Sequence, residues 1–67
     1  MITLRINGEA RQHPSDLTIA ALLASMGLTG KRLAVERNGE IVPKSRHGET
    51  RLAEGDQLEI VVAVGGG

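Results

Sequence analysis

Apolar and polar residues alternate over the first six positions, with Ile2, Leu4 and Ile6 on one side and Thr3 and Arg5 on the other. A period of two with one apolar face predicts a half-buried β-strand. Asn7-Gly8 follows at once, a dipeptide that tolerates positive φ and suits a two-residue hairpin. The return strand, about Glu9 to His13, is polar and is expected at a sheet edge, with Pro14 ending it. The period then changes. Ile19, Leu22, Leu23 and Met26 fall on one stripe of a helix. Thr18 is the expected N-cap, Leu17 sits in the staple position, and Gly27 is a natural left-handed stop over which Leu28 folds back. A helix of about two turns is held by tertiary packing rather than by its own propensity.

After Gly30-Lys31-Arg32 the period of two returns. Leu33 and Val35 alternate with Ala34 and Glu36, and Asn38-Gly39 predicts a second hairpin. Glu40-Ile41-Val42 forms the short returning strand and Pro43 stops it. Lys44 to Gly48 is polar and loop-like, and Leu52 is a lone apolar anchor before the Glu54-Gly55-Asp56 turn. The segment Gln57 to Val64 is the most β-prone of the chain. It places Leu58, Ile60, Val62 and Val64 on one face and Glu59, Val61 and Ala63 on the other. Being apolar on both sides near its end, it suits a central position. The order ββαββ plus a closing strand predicts an α+β protein, a mixed sheet of about five strands packed on one short helix. If the closing strand pairs in parallel with the first, the arrangement is a β-grasp. Residues 1–67 are expected to form a single domain ending in a conformationally free Gly65-Gly66-Gly67 tail.

Composition narrows the functional classes. The 67 residues carry eight basic and eight acidic side chains, a formal net charge of zero. Without a basic surplus the chain is not expected to bind nucleic acid or an anionic membrane. It also has no Phe, Tyr or Trp on which bases would stack. Zero cysteines exclude a disulfide framework, a thiolate metal site and a thiol nucleophile. The longest uncharged run, Leu17 to Gly30, is 14 residues, short of the ~20 that span a bilayer. A cytoplasmic protein is expected.

The chain is poor in catalytic side chains. His13 and His47 are widely separated and are read as solvated surface residues rather than metal ligands. Ser15-Asp16 reads as capping chemistry. Ser45, Arg46 and His47 lie in a loop with no carboxylate placed to orient an imidazole. Gly27, Gly30 and Lys31 echo a phosphate-binding loop, but the Gly-to-Gly-Lys frame is absent and Arg32 stands where the hydroxyl belongs. No catalytic residue and no metal ligand is expected.

The glycine tail is the exception. Three glycines extend about 10 Å, at roughly 3.3–3.6 Å per residue. A thread without Cβ atoms can enter a tunnel that excludes every other residue. At its tip is the α-carboxylate of Gly67, the one group of this chain that could be delivered into another protein's active site. A carboxylate is a poor electrophile until ATP converts it to an acyl-adenylate, so the tail reads as a handle worked on by a partner enzyme.

The Asn7-Gly8 hairpin, the Leu17-Thr18-Ile19 to Leu23 helix start, Asn38-Gly39-Glu40-Ile41-Val42-Pro43, the Gly55-Asp56 turn and the ending Glu59 to Gly67 resemble the thiamine-biosynthesis sulfur carrier family, ThiS. The resemblance covers essentially the whole chain. It implies a β-grasp protein, not itself an enzyme, whose Gly67 is adenylated by an activating enzyme of the ubiquitin-activating type. The adenylate is then converted to a thiocarboxylate with sulfur from a donor protein. The sulfur passes to thiazole synthase. It implies no bound cofactor, ATP being used by the partner, and assigns Gly65 and Gly66 to tail recognition. Two alternatives stay open. One is the sulfur carrier of molybdopterin synthesis, which tends to be longer and to contain aromatic residues. The other is a ubiquitin-like module that binds partners without using its carboxylate.

A partner surface is expected around the tail. Val61 and Ala63 point away from the helix, near Ala34, and form a candidate docking patch. Glu54, Asp56 and Glu59, with no base after Arg51, predict partners that are basic around the tail entrance.

Overall fold

The computed structural model describes residues 1–63. Val64 and the glycines at 65, 66 and 67 lie outside the described residues. Among the described residues five strands form one sheet: β1 (Ile2–Ile6), β2 (Glu9–His13), β3 (Leu33–Arg37), β4 (Glu40–Ile41) and β5 (Gln57–Val62), with one seven-residue α-helix, α1 (Ile19–Ser25), between β2 and β3. The spatial order is β2-β1-β5-β3-β4. β5 lies parallel to β1 and antiparallel to β3. This is the expected α+β, β-grasp arrangement with the closing strand at its centre.

Both hairpins are built by the same dipeptide. Asn7 and Gly8 take φ of 52° and 87°, and Asn38 and Gly39 take 52° and 86°. Positive φ at both central residues matches the right-handed twist of the flanking strands. Each asparagine also extends the sheet beyond its own strand. The Asn7 side chain accepts from Ile60 N at 2.8 Å and donates to Ile60 O at 3.2 Å. Asn38 Oδ1 accepts from Gln57 N at 2.9 Å. The two turns therefore clamp β5 from both sides.

The helix is short because its ends are closed. Thr18 Oγ1 accepts from Ala21 N at 3.1 Å, while Ile19 N and Ala20 N donate to Thr50 O and His47 O. The loop at 47–50 thus satisfies first-turn amides that a side chain alone would leave unpaired. At the other end Leu28 N donates to Leu23 O and Gly27 N to Ala24 O, with Gly27 at φ 73°. These are the paired bonds of a Schellman motif.

Leu4, Ile19, Leu22, Val35 and Leu58 are fully buried between helix and sheet, joined by Ile2, Ile6, Leu23, Leu52 and Ile60. The lone anchor Leu52 therefore belongs to the core. β4 ends one residue earlier than expected, although Val42 N still donates to Val35 O at 2.9 Å. The segment expected to be a plain loop contains one 3-10 turn, Lys44–Arg46. Among the described residues no helix is long and apolar enough to cross a membrane.

Candidate functional site

Interest centres on the end of β5, where the chain leads toward the glycines. Ala63 N donates to Arg32 O at 2.8 Å. This backbone bond ties the root of the tail to the residues just before β3. The register then decides which side chains surround that root. Val61 lies opposite Ala34, Val62 opposite Leu33 and Glu59 opposite Glu36.

The two faces of the sheet differ here. On the helix side Leu58 and Ile60 are buried and Val62 is half-buried. On the outer side Val61 is 62% exposed, and Ala34, Glu59 and Ala63 are exposed as well. Ile41, opposite Glu36 across β4, is also exposed. An apolar row formed by Ala34 and Val61 thus borders two carboxylates placed directly opposite each other. Like charges in that relation oppose each other across the ladder. A cation placed among them by a partner would relieve the repulsion.

Around the corner of the sheet edge lies a groove of about 320 Å³ between α1, through Ala20 and Leu23, the Leu28–Leu33 connection and the Lys44–Gly48 turn. Leu23, Leu28 and Leu33 line it together with Lys31, Arg32 and Lys44. All three cations are exposed, and among the described residues none forms an ion pair. The immediate surroundings of the tail root are therefore basic on this side.

Two corrections to the sequence reading follow. Of the three acids expected around the tail, only Glu59 lies on the outer face near Val61. Glu54 and Asp56 precede β5, and six residues of strand, about 20 Å at 3.3 Å each, separate them from the tail root. Glu54 accepts from Thr3 N at 3.0 Å. Asp56 is buried: its carboxylate accepts from Arg37 Nε at 2.8 Å, Asn38 Nδ2 at 3.1 Å and Ala53 N at 2.9 Å. It organises the turn and is not offered to a partner. The second correction concerns His47. It is 7% exposed and its Nε2 donates to Val42 O at 3.0 Å. The imidazole joins the turn at 44–47 to the end of the second hairpin, rather than lying solvated on the surface.

Burial opposes ionisation of Asp56, but the hydrogen bonds from Ala53, Asn38 and Arg37 and the Arg37 charge outweigh it, so its pKa lies below the ordinary 3.8. A lowered folded-state value contributes stability that is present above the unfolded pKa and fades as pH falls through the folded one. Asp56→Asn is expected to cost about 1.5–3 kcal/mol at neutral pH, the range for hydrogen bonds to a charged group. The gap from wild type should narrow as the pH drops below 3.8. Urea denaturation of both proteins across that window measures it, and a gap constant with pH would contradict the assignment.

A family model described as the ThiS family matches residues 4–67. The chain belongs to the ThiS family. It is 46% identical over 65 residues to the sulfur carrier protein ThiS of Bacillus subtilis, covering 96% of this chain and 98% of that one. It is 48% identical over 64 residues to a thiazole synthase of Paramagnetospirillum magneticum, covering 96% of this chain but 20% of that protein. The chain thus spans about a fifth of the length of the thiazole synthases it matches. A crystal structure of the thiamine biosynthesis protein ThiS of Geobacter metallireducens superposes with a TM-score of 0.83 at 26% identity, covering 98% of this chain and 100% of the other.

Family membership does not locate the working group. Gly65, Gly66 and Gly67 lie outside the described residues. The described structure instead shows what flanks their root: Val61 and Ala63 on the outer face, and the cationic groove on the other side. The groove was not legible in the sequence, because its lining comes from three separated segments. One signal pointed toward it: Lys31-Arg32 immediately precedes the strand expected to lie beside the last one.

Proposed function

We propose that the chain is a sulfur carrier of thiamine biosynthesis whose working group is the α-carboxylate of Gly67. It is a protein co-substrate rather than an enzyme, acts in the cytoplasm and binds no cofactor of its own. A partner enzyme uses ATP to convert the carboxylate into an acyl-adenylate, releasing pyrophosphate. Sulfide-level sulfur supplied by way of a donor protein then attacks the acyl carbon and AMP leaves, giving a thiocarboxylate. Where the donor holds it as a persulfide, a thiol reductant cleaves the S–S bond of the resulting acyl disulfide, being itself oxidised to a disulfide. The thiocarboxylate sulfur is a far better nucleophile than a carboxylate oxygen and is passed to thiazole synthase. The single observation that carries this reading is the near end-to-end match to a protein named as the sulfur carrier ThiS, with the glycine tail inside the matched residues. The absence of aromatic residues favours it over the molybdopterin carrier.

The outer face supports a role for Val61 and Ala63 in docking. Val61 is 62% exposed beside Ala34, and Glu59 and Glu36 border the patch. On this reading the activating enzyme covers the patch while it holds the tail. Val61→Arg should weaken that complex at least tenfold, and the melting temperature should stay near wild type because the side chain is not in the core. Unchanged binding, measured by calorimetry, would discard the patch.

The match to thiazole synthases over a fifth of their length favours a second reading, in which the same carrier segment belongs to a longer polypeptide with the enzyme it supplies. Intact mass of the protein isolated from its source separates the two. The function itself is tested by growth. Cells lacking their own carrier should regain thiamine-independent growth with the intact chain and not with a chain lacking Gly67. Restoration by the shortened chain would leave only a binding module.

A further inference from the structure

The groove beside the tail root combines two kinds of side chain. Its floor is apolar, made by Leu23, Leu28 and Leu33, and its rim carries Lys31, Arg32 and Lys44 with no acidic residue among its lining. The chain as a whole has no net charge, so three cations gathered around one cleft are not the by-product of a basic protein. Among the described residues none of the three is held in an ion pair, so all three are available to a partner.

We propose that this groove docks an acidic segment of the partner protein that takes the tail, with one apolar side chain of that segment on the leucine floor and its carboxylates against Lys31, Arg32 and Lys44. The inference rests on the reading that a partner takes the tail. It adds the chemistry of the partner's surface, which is opposite to the basic surroundings that the sequence suggested. Ala63 N bonded to Arg32 O fixes the tail root at the edge of the groove, so a protein that grips the tail lies over the groove as well. The floor excludes the simplest rival. A free phosphate seated on three leucines would lose its hydration without gaining donors there. An acidic protein segment avoids this. Its carboxylates stay at the wet rim while its apolar side chain fills the floor. The two sides of the tail root then carry opposite instructions: the outer face, with Glu36 and Glu59, suits a cationic contact, and the groove suits an anionic one. Such a pattern fixes the orientation in which a partner approaches.

The test is association of the full chain with its adenylating enzyme, followed by stopped-flow over a series of salt concentrations. Rim charges act chiefly on the association rate and its salt dependence. The combined variant Lys31→Glu, Arg32→Glu and Lys44→Glu is expected to associate at least tenfold more slowly at low salt and to lose the wild-type salt slope. Ala20→Trp, at an exposed helix position lining the groove, should fill the floor and speed dissociation at least tenfold without lowering the melting temperature. Wild-type rates and salt slope in both variants would overturn the proposal. So would a titration of the chain with Mg-ATP alone that saturates at Lys31, Arg32 and Lys44 by NMR, because it would assign the rim to phosphate. Adenylation of the tail is a separate readout. A wild-type chain that binds the enzyme but is never adenylated contradicts the proposed function, while the association rates still decide the groove.

Discussion

Deleting Gly67, or replacing Gly66 with leucine, is expected to abolish sulfur loading and leave the fold intact. The deletion shortens the thread by one residue and draws its carboxylate back by roughly 3.3–3.6 Å. A misplacement of about 1 Å at a reacting group already costs on the order of a hundredfold in rate, so loading should fall below detection. Gly66→Leu acts differently, adding a branched side chain to a segment expected to thread a narrow channel. Neither change touches the core, because every buried apolar residue among those described lies at or before Ile60. Far-UV circular dichroism and the urea midpoint should therefore match wild type. A loaded Gly66→Leu protein would show that the channel is wide or that the tail does not enter one.

Leu22→Ala is expected to show the opposite signature, a largely unfolded chain whose tail is chemically unchanged. Leu22 is fully buried on the face of α1 that meets Leu4, Val35 and Leu58 in the core. Truncating a buried leucine costs about 2–5 kcal/mol, the transfer free energy plus the cavity left behind. A domain of this size buries only about 60% of its unfolded surface, and total stability of small domains is of order 5 kcal/mol. The short helix has no reserve of its own. A large fraction of the population should be unfolded at 37 °C, and a urea midpoint equal to wild type would remove the helix-to-sheet core from the account.

What could be read in advance follows from how local each signal is. The two Asn-Gly turns, the Thr18 cap, the Gly27 stop and the alternation of β1 and β5 depend on neighbouring residues, and each stands where the pattern put it. Placing β5 at the centre also succeeded, because apolar residues on both of its faces near the end leave few other positions. The failures are long-range. Nothing adjacent to Asp56 shows that Arg37 and Asn38 will converge on it from the second hairpin, so its acidity read as surface charge. His47 lies in a polar segment, yet a backbone carbonyl of Val42 and the first turn of α1 enclose it. The cationic groove needs three segments to meet. Charge counted along the chain placed acids near the tail because Glu54 and Asp56 are close in sequence, whereas a six-residue strand carries the tail away from them and toward Lys31 and Arg32.

The central claim is that Gly67 carries the working carboxylate, and one mass measurement bears on it most directly. The intact chain is incubated with ATP, the adenylating enzyme and a sulfur source, sulfide in the simplest assay, and its mass is read alongside that of a tryptic C-terminal fragment. The account predicts a gain equal to one oxygen replaced by sulfur, confined to the fragment ending at Gly67 and dependent on ATP. A chain whose mass is unchanged while the enzyme loads its own cognate carrier, or a gain that maps to any other residue, would contradict it.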